Sequence, residues 1–173
     1  MDDRALEALR WQFEMTWRLA EQHVLPPLTD EMCLWAPAPR AWTVRRVGAE
    51  WVADWADAEP DPPPATSIAW IAWQAAWWWS EALARAEGAP PPRREGVRYP
   101  GTAEGVRAQL GGLAVRWRTV LASLDAEALA RPSTFPWTEP QPFATTVAWV
   151  NSELMKNLAE IGLLGRLHLS REK

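Results

Sequence analysis

Apolar residues recur every three or four positions in three long stretches of the chain, which is the spacing of one face of a helix. The first stretch begins near Leu6 and is ended by Pro26 and Pro27, because proline cannot continue a helix. The second follows Thr102, and the third covers about residues 143–167. The predicted inward positions are Leu6, Leu9, Phe13, Trp17, Ala20 and Val24, then Val106, Leu110, Leu113, Trp117, Val120 and Leu124, then Val147, Val150, Leu154, Ile161 and Leu164.

A further helix is predicted between the first two of these, over about residues 67–86. From Ile68 to Trp79 it is apolar nearly all round, with Gln74 as the exception, so we expect it to lie at the centre of the fold. Its length would suffice to cross a bilayer. The polar residues Gln74, Ser80, Glu81 and Arg85 favour a helix buried inside a soluble protein.

The segments between the helices are rich in proline and carry helix-capping residues. Thr29, Thr66 or Ser67, Thr102 and Asp125 each precede a predicted helix or helical turn and are suited to cap it. Residues 42–55 predict a short hairpin or extended segments around Gly48. The chain is therefore predicted to be a single all-α domain over residues 1–173, a four-helix bundle with a long crossover between helices 1 and 2.

Composition excludes several classes of protein. A net charge of −4 and an isoelectric point near 5.3, without a basic stripe, argue against nucleic acid as a partner. No apolar run approaches the length of a membrane span, and the N-terminus is acidic where a secretory signal would be basic. Cys33 is the single cysteine, so no intramolecular disulfide forms. We expect a cytoplasmic protein.

Tryptophan is unusually frequent, with 14 residues in 173, and most of these indoles must be buried or line a cavity. Trp70, Trp73, Trp77, Trp78 and Trp79 concentrate on the second helix. One interpretation is a core helix packed with indoles. The other is a pocket near Gln74 and Trp149, lined by Trp70, Trp73, Trp77 and Trp149, which would hold a flat apolar or cationic small molecule.

Short motifs spread over most of the chain resemble the DinB-like (damage-inducible) superfamily, in particular its actinobacterial-type branch. Their order and spacing carry the resemblance more than any one of them. The motifs are Leu28-Thr29-Asp30-Glu31 with Leu34-Trp35, Trp42-Thr43-Val44, Trp51-Val52-Ala53-Asp54-Trp55, Ile68-Ala69-Trp70, Arg116-Trp117, Glu153-Leu154-Met155 and Ala159-Glu160-Ile161-Gly162-Leu163-Leu164.

The resemblance implies a divalent-metal site made of three histidines, one from the second helix and two from the fourth at i and i+4. That spacing directs both imidazoles to one point, because residues four apart lie on one helix face. The positions in this chain that match are Gln74, Glu153 and Asn157. Family members often also carry histidine where this chain has Trp149 and Lys156.

These three replacements predict that tight transition-metal binding has been lost. They offer oxygen donors with a single negative charge, whereas zinc and nickel prefer imidazole or thiolate. We therefore expect no cofactor, with a weak divalent-cation site as the alternative. The expected arrangement is that Gln74, Glu153 and Asn157 hydrogen-bond one another across two helices, while Lys156 pairs with Glu153 or Glu160.

No other residues supply an obvious reaction centre, so the catalytic residues are unknown. His168 is too far along the last helix to join the three positions, and His23 is interpreted as a cationic partner for the dipole of the first helix. Cys33 is interpreted as an apolar filler. Three functions remain open. The first is a metal-free DinB-like protein whose former metal pocket binds a small molecule or is merely structural. The second is a metal-dependent thiol S-transferase or isomerase, and the third is a stress-related interaction protein that forms a homodimer.

Overall fold

The computed structural model describes residues 3–58 and 60–171 and is mostly helical. The predicted first helix is α-helical only to Leu19 and continues as a π-helical turn, and the last helix runs four residues beyond its predicted end. The helices are α1 (Asp3–Leu19), a π-helical turn (Ala20–Val24), α2 (Asp30–Leu34), α3 (Ile68–Ala86), a 3₁₀ turn (Arg94–Gly96), α4 (Ala103–Ser123), α5 (Ala126–Ala130) and α6 (Phe143–Arg171).

The strands are short and form three separate pairs. The predicted hairpin is confirmed, with β2 and β3 antiparallel and Val44 opposite Ala53. Its turn contains Gly48 at a φ of 62°, which glycine adopts without strain. The strands are β1 (Ala41–Trp42), β2 (Val44–Val47), β3 (Glu50–Ala53), β4 (Ala65–Thr66), β5 (Pro132–Ser133) and β6 (Gln141–Pro142), with β1 parallel to β4 and β5 antiparallel to β6.

The predicted caps begin four of the helices. The Thr29 hydroxyl accepts a hydrogen bond from the backbone N–H of Met32, and Ser67, rather than Thr66, accepts one from Trp70. Thr102 caps α4 through Gly105 N–H, and Asp125 caps α5 through Ala128 N–H. The helix starts that capping chemistry predicts are therefore confirmed.

Helix α3 is at the centre of the packing. It contacts α2, α4 and α6, and α1 packs against both α4 and α6. Between Ile68 and Trp79 every α3 residue is buried except Gln74 and Trp77, which confirms the expectation of a central helix. The inward stripes of the other helices are confirmed as well, with Leu9, Val24, Leu124 and Leu164 only half-buried at their edges.

Polar contacts attach residues 42–55, which we call the hairpin segment, to the start of α3. Trp70 Nε1 donates to the backbone oxygen of Asp54 at 2.8 Å, and Thr43 N–H donates to the Asp54 carboxylate at 2.9 Å. Ser67 Oγ lies 3.1 Å from Thr43 Oγ1. These contacts hold the hairpin beside the part of α3 that carries Gln74.

Gly111 and Gly112 are adjacent in α4, and no neighbouring element requires a residue without a side chain at either position. A methyl group at either would meet no atom within 4 Å outside the neighbouring backbone of its own helix, so no other element packs closely against these glycines. We expect Gly112→Ala to raise the free energy of unfolding by about 1 kcal/mol through helix propensity. Urea unfolding would measure the change. Gly48→Ala is the contrasting control and should destabilise the protein, because alanine disfavours a positive φ.

No helix within residues 3–58 and 60–171 is both long enough and apolar enough to span a bilayer.

Candidate functional site

Asn157 is the most buried of the three residues that the resemblance matches to metal-binding histidines. Its side chain is 1% exposed, and its Oδ1 accepts a hydrogen bond from Trp78 Nε1 at 3.1 Å. Trp78 is itself 6% exposed, so this contact satisfies an indole N–H that has lost water. One of the two lone pairs of the Asn157 oxygen is therefore already used by a donor within the protein.

Glu153 lies one helical turn before Asn157 and has a different partner. Its Oε2 is 2.6 Å from Lys156 Nζ, which confirms the expected pairing of these two side chains on α6. The Glu153 side chain is 25% exposed and that of Lys156 is 50% exposed, so the pair is open to solvent. A salt bridge of this kind contributes little to stability.

The expected hydrogen bonds among Gln74, Glu153 and Asn157 are not formed between these described residues. Asn157 accepts from Trp78, Glu153 pairs with Lys156, and the half-buried Gln74 amide has no hydrogen bond to any described residue. The physical reason is that a buried indole donor requires an acceptor, whereas Gln74 and Glu153 can be solvated. The three positions therefore do not form one polar network.

Three of the predicted lining residues belong to an aromatic cluster between α3 and the hairpin segment. Trp70 and Trp73 are buried, and Trp77 is half-buried. Trp73 and Trp77 stack with their ring centroids 6.3 Å apart, and both contact Trp55. The Trp73 indole donates to the backbone oxygen of Val97 at 2.9 Å. Trp70 and Trp73 thus serve the packing of the core.

The fourth lining residue, Trp149, packs in a different group. Its ring lies 5.3 Å from that of Trp78 and 5.2 Å from that of Phe135, both in edge-on geometry. Among the described residues no ring contact joins this group to Trp70, Trp73 or Trp77. The structure therefore divides the predicted lining into a mostly buried cluster and a half-buried indole on α6.

The donors present do not suit the metal that the resemblance implies. Among the described residues there is no group of three or more histidine, cysteine, aspartate or glutamate side chains that could hold an ion. At the three matched positions one carboxylate is paired with a cation and one amide oxygen with an indole. This set lacks the imidazole and thiolate ligands that hold zinc or nickel tightly.

The two histidines lie outside this region. His168 is buried near the end of α6, where its ring meets Trp35 edge-on at 5.5 Å and its Nε2 is 3.6 Å from a Glu31 carboxylate oxygen. His23 is exposed in the π-helical turn that follows α1. Among the described residues, neither histidine has a hydrogen bond or ion pair with Gln74, Glu153 or Asn157.

Cys33 is fully buried, and burial raises the pKa of its thiol to about 11, against the smaller opposing effect of the Tyr99 hydroxyl. Because the thiolate is the nucleophile, we expect the native thiol to react with a disulfide reagent at pH 8 about 100-fold or more slowly than an ordinary thiol. Spectrophotometric thiol titration would measure the rate, with the urea-unfolded chain as the control. Rapid modification of one thiol in the folded protein would contradict this assignment.

A cavity that the sequence does not predict lies near the C-terminus of α3. It has a volume of about 450 Å³ and includes Arg85, Leu124, Arg131 and Phe143 in its lining. None of the seven predicted site residues lines it, nor do they line a smaller cavity of about 120 Å³ between the π-helical turn and α6. Its wall comes from four separate segments with no shared motif, so no local sequence signal indicates it.

A family model matches the chain over most of its length. The model of a family described as the DinB superfamily matches residues 12–161, which is most of the chain and includes α3, α4 and the first two thirds of α6. No curated protein matches the chain.

Proposed function

This chain belongs to the DinB superfamily, and we propose that it is a member that binds a small molecule without holding a transition metal tightly. The proposed architecture is the four-helix bundle of α1, α3, α4 and α6, with the hairpin segment as the crossover. The ligand would occupy the surface around Gln74, Glu153 and Asn157, where the resemblance implies a metal in other members.

The observation that carries this proposal is the hydrogen bond from Trp78 Nε1 to Asn157 Oδ1. Only one lone pair of that oxygen remains for an ion, and an ion that displaced the indole would leave a buried donor unpaired, at a cost of about 1–3 kcal/mol. The gain would be small, because a neutral amide oxygen is a poor ligand for zinc or nickel. The protein's own indole therefore competes with metal at this position.

The groups left available favour a flat apolar or cationic ligand. Trp77 and Trp149 are both half-buried, so each retains accessible indole surface, while Trp70 and Trp73 form the rigid layer behind Trp77. The Gln74 amide has no partner among the described residues, and the Glu153 carboxylate is held only by an exposed lysine. An indole face attracts cations, and a cationic ligand would replace the solvent-exposed Lys156 as the partner of the Glu153 carboxylate.

Two measurements on the purified protein test the proposal. Elemental analysis should find zinc and nickel well below one ion per chain. Titration with tetramethylammonium, followed by NMR of the indole and side-chain amide N–H signals, should give saturable shifts at Trp77, Trp149 and Gln74. Glu153→Gln should weaken that binding several-fold, whereas Glu21→Gln, at an exposed glutamate on the π-helical turn, should not.

Stoichiometric zinc or nickel in the protein would overturn the proposal. That result would favour the alternative, a metal-dependent thiol S-transferase or isomerase. Saturable binding that Glu153→Gln leaves unchanged would refute the role of the carboxylate.

One observation favours a second function, an interaction protein that acts as a homodimer. Three indoles are exposed, with Trp11 at 61%, Trp55 at 38% and Trp137 at 36% of their possible area. Tryptophan is enriched at protein–protein interfaces relative to the rest of the surface. Analytical ultracentrifugation of the wild type and of Trp11→Ala tests this function, and a strict monomer at high concentration would exclude it.

A further inference from the structure

The cavity near the C-terminus of α3 has the size and walls of a small-molecule site. Its volume of about 450 Å³ lies within the usual range of about 300–1,000 Å³ for ligand pockets. Its apolar wall includes Ala86, Leu124 and Phe143, with Ala89 and Ala128 beside them. These residues belong to α3 and its C-terminal turn, to the α4–α5 region and to the start of α6.

The polar part of the lining carries net positive charge. Arg85 and Arg131 both line the cavity, and no aspartate or glutamate does. The Arg85 guanidinium is paired with Glu81, at 2.8 Å from Nη2 to Oε1, and lies 5.4 Å from the centroid of the Phe135 ring. One guanidinium of the pair is therefore already neutralised and held in place.

The other guanidinium is uncompensated. Within residues 3–58 and 60–171 the Arg131 side chain has no ion pair or hydrogen bond, although its backbone oxygen accepts from Phe143 N–H at 2.8 Å. That backbone contact ties the residue to the start of α6, beside the apolar wall. Ser133 and Thr134 also line the cavity; the Ser133 hydroxyl already accepts a hydrogen bond from Thr146 Oγ1 at 2.9 Å, whereas the Thr134 hydroxyl has no hydrogen bond to a described residue.

We propose that this cavity binds a small carboxylic acid with a short apolar or aromatic body. A carboxylate matches the planar fork of a guanidinium and balances the single uncompensated charge of Arg131. The hydrocarbon part would displace water from the wall formed by Leu124 and Phe143. Inorganic phosphate would satisfy the guanidinium but would leave this apolar wall hydrated.

The site is separate from the one described under the proposed function and does not depend on it. Arg85 is eleven residues beyond Gln74 on the same helix, about 16 Å along its axis at 1.5 Å per residue. The two sites also differ in sign, since Glu153 favours a cation and Arg131 an anion. Binding at one can therefore be observed without binding at the other.

NMR titration of the ¹⁵N-labelled protein with benzoate and with 4-phenylbutyrate tests the proposal. Saturable shifts are expected at the backbone N–H groups of Ala86, Ala89, Thr134 and Phe143. The neutral analogue benzamide should bind about 10-fold more weakly, because it lacks the charge. Inorganic phosphate should also bind more weakly, because it has no apolar body.

Substitutions identify the groups responsible. Arg131→Gln removes the free charge at an exposed side chain and should weaken benzoate binding about 10-fold. Ala89→Leu, also at an exposed position, should weaken it by filling the cavity. Arg40→Gln is the matched control, since Arg40 is an exposed arginine that does not line the cavity.

Five results would overturn the proposal. One is the absence of saturable shifts at the cavity with either carboxylate, and another is equal affinity for benzoate and benzamide. The third is equal weakening by Arg131→Gln and Arg40→Gln. Shifts confined to Gln74, Trp77 and Trp149 would also exclude it while leaving the proposed function intact. If phosphate binds as tightly as benzoate, the proposed ligand class is wrong.

Discussion

Replacing Gln74, Glu153 and Asn157 together by histidine should create a divalent-metal site, with affinity for nickel or zinc rising by about three orders of magnitude. The reason is ligand chemistry, since three neutral imidazoles replace two amides and a paired carboxylate. Positions 153 and 157 are one turn apart on α6, which is regular there. Isothermal titration calorimetry of the variant and the wild type would measure the difference.

The triple substitution also changes local contacts, and these determine the stability of the variant with and without metal. Asn157→His removes the acceptor of the Trp78 indole, which should destabilise the metal-free variant by about 1–3 kcal/mol. Lys156 loses its partner Glu153 but is half exposed, so it can turn away from the ion. Because metal binds only the folded variant, nickel should raise its melting temperature and should not raise that of the wild type.

A control with the same number of histidines tests whether metal affinity depends on their positions or only on their number. In that control histidine is placed at positions 74, 153 and 155, using the exposed Met155 in place of Asn157. Residues two apart on a helix point to different faces, so no gain in affinity is expected. If the first variant is folded and takes up no more metal than this control, the assignment of the three positions is wrong.

The helical fold was largely predictable because its signals are local. The apolar spacing of α1, α4 and α6, the prolines that end helices and the caps at Ser67 and Thr102 all act within a few residues. The change from α- to π-helix at Ala20 was not predictable. It depends on how the end of α1 packs against α6, which no short stretch of sequence records.

The candidate site was harder to predict because its contacts join residues far apart in the sequence. The positions of Gln74, Glu153 and Asn157 follow from the resemblance, but the commitment of Asn157 to Trp78 depends on the rotation of α3 against α6. Apolar periodicity indicated that the α3 indoles are buried. It did not indicate which of them contact the hairpin segment and which contact Trp149.

Trp79→Ala should lower the free energy of unfolding by about 3–5 kcal/mol, a large part of the total of about 5–15 kcal/mol for a domain. Trp79 is fully buried on α3, and its ring centroid lies 6.2 Å from that of Phe13 and 6.0 Å from that of Trp17. Alanine would leave a cavity between α1 and α3 that this packing cannot close. Urea unfolding followed by circular dichroism would measure the loss, with an unchanged dependence on denaturant.

Two further substitutions test whether burial is the cause. Trp11 is 61% exposed on α1, so Trp11→Ala should change the unfolding free energy by no more than about 0.5 kcal/mol. Trp79→Phe should cost much less than Trp79→Ala, because phenylalanine fills most of the space. Trp79→Phe also removes the buried Trp79 Nε1, which has no hydrogen-bond partner among the described residues, so this substitution breaks no hydrogen bond. Equal losses in Trp79→Ala and Trp11→Ala would mean that the α3 indoles do not form the core.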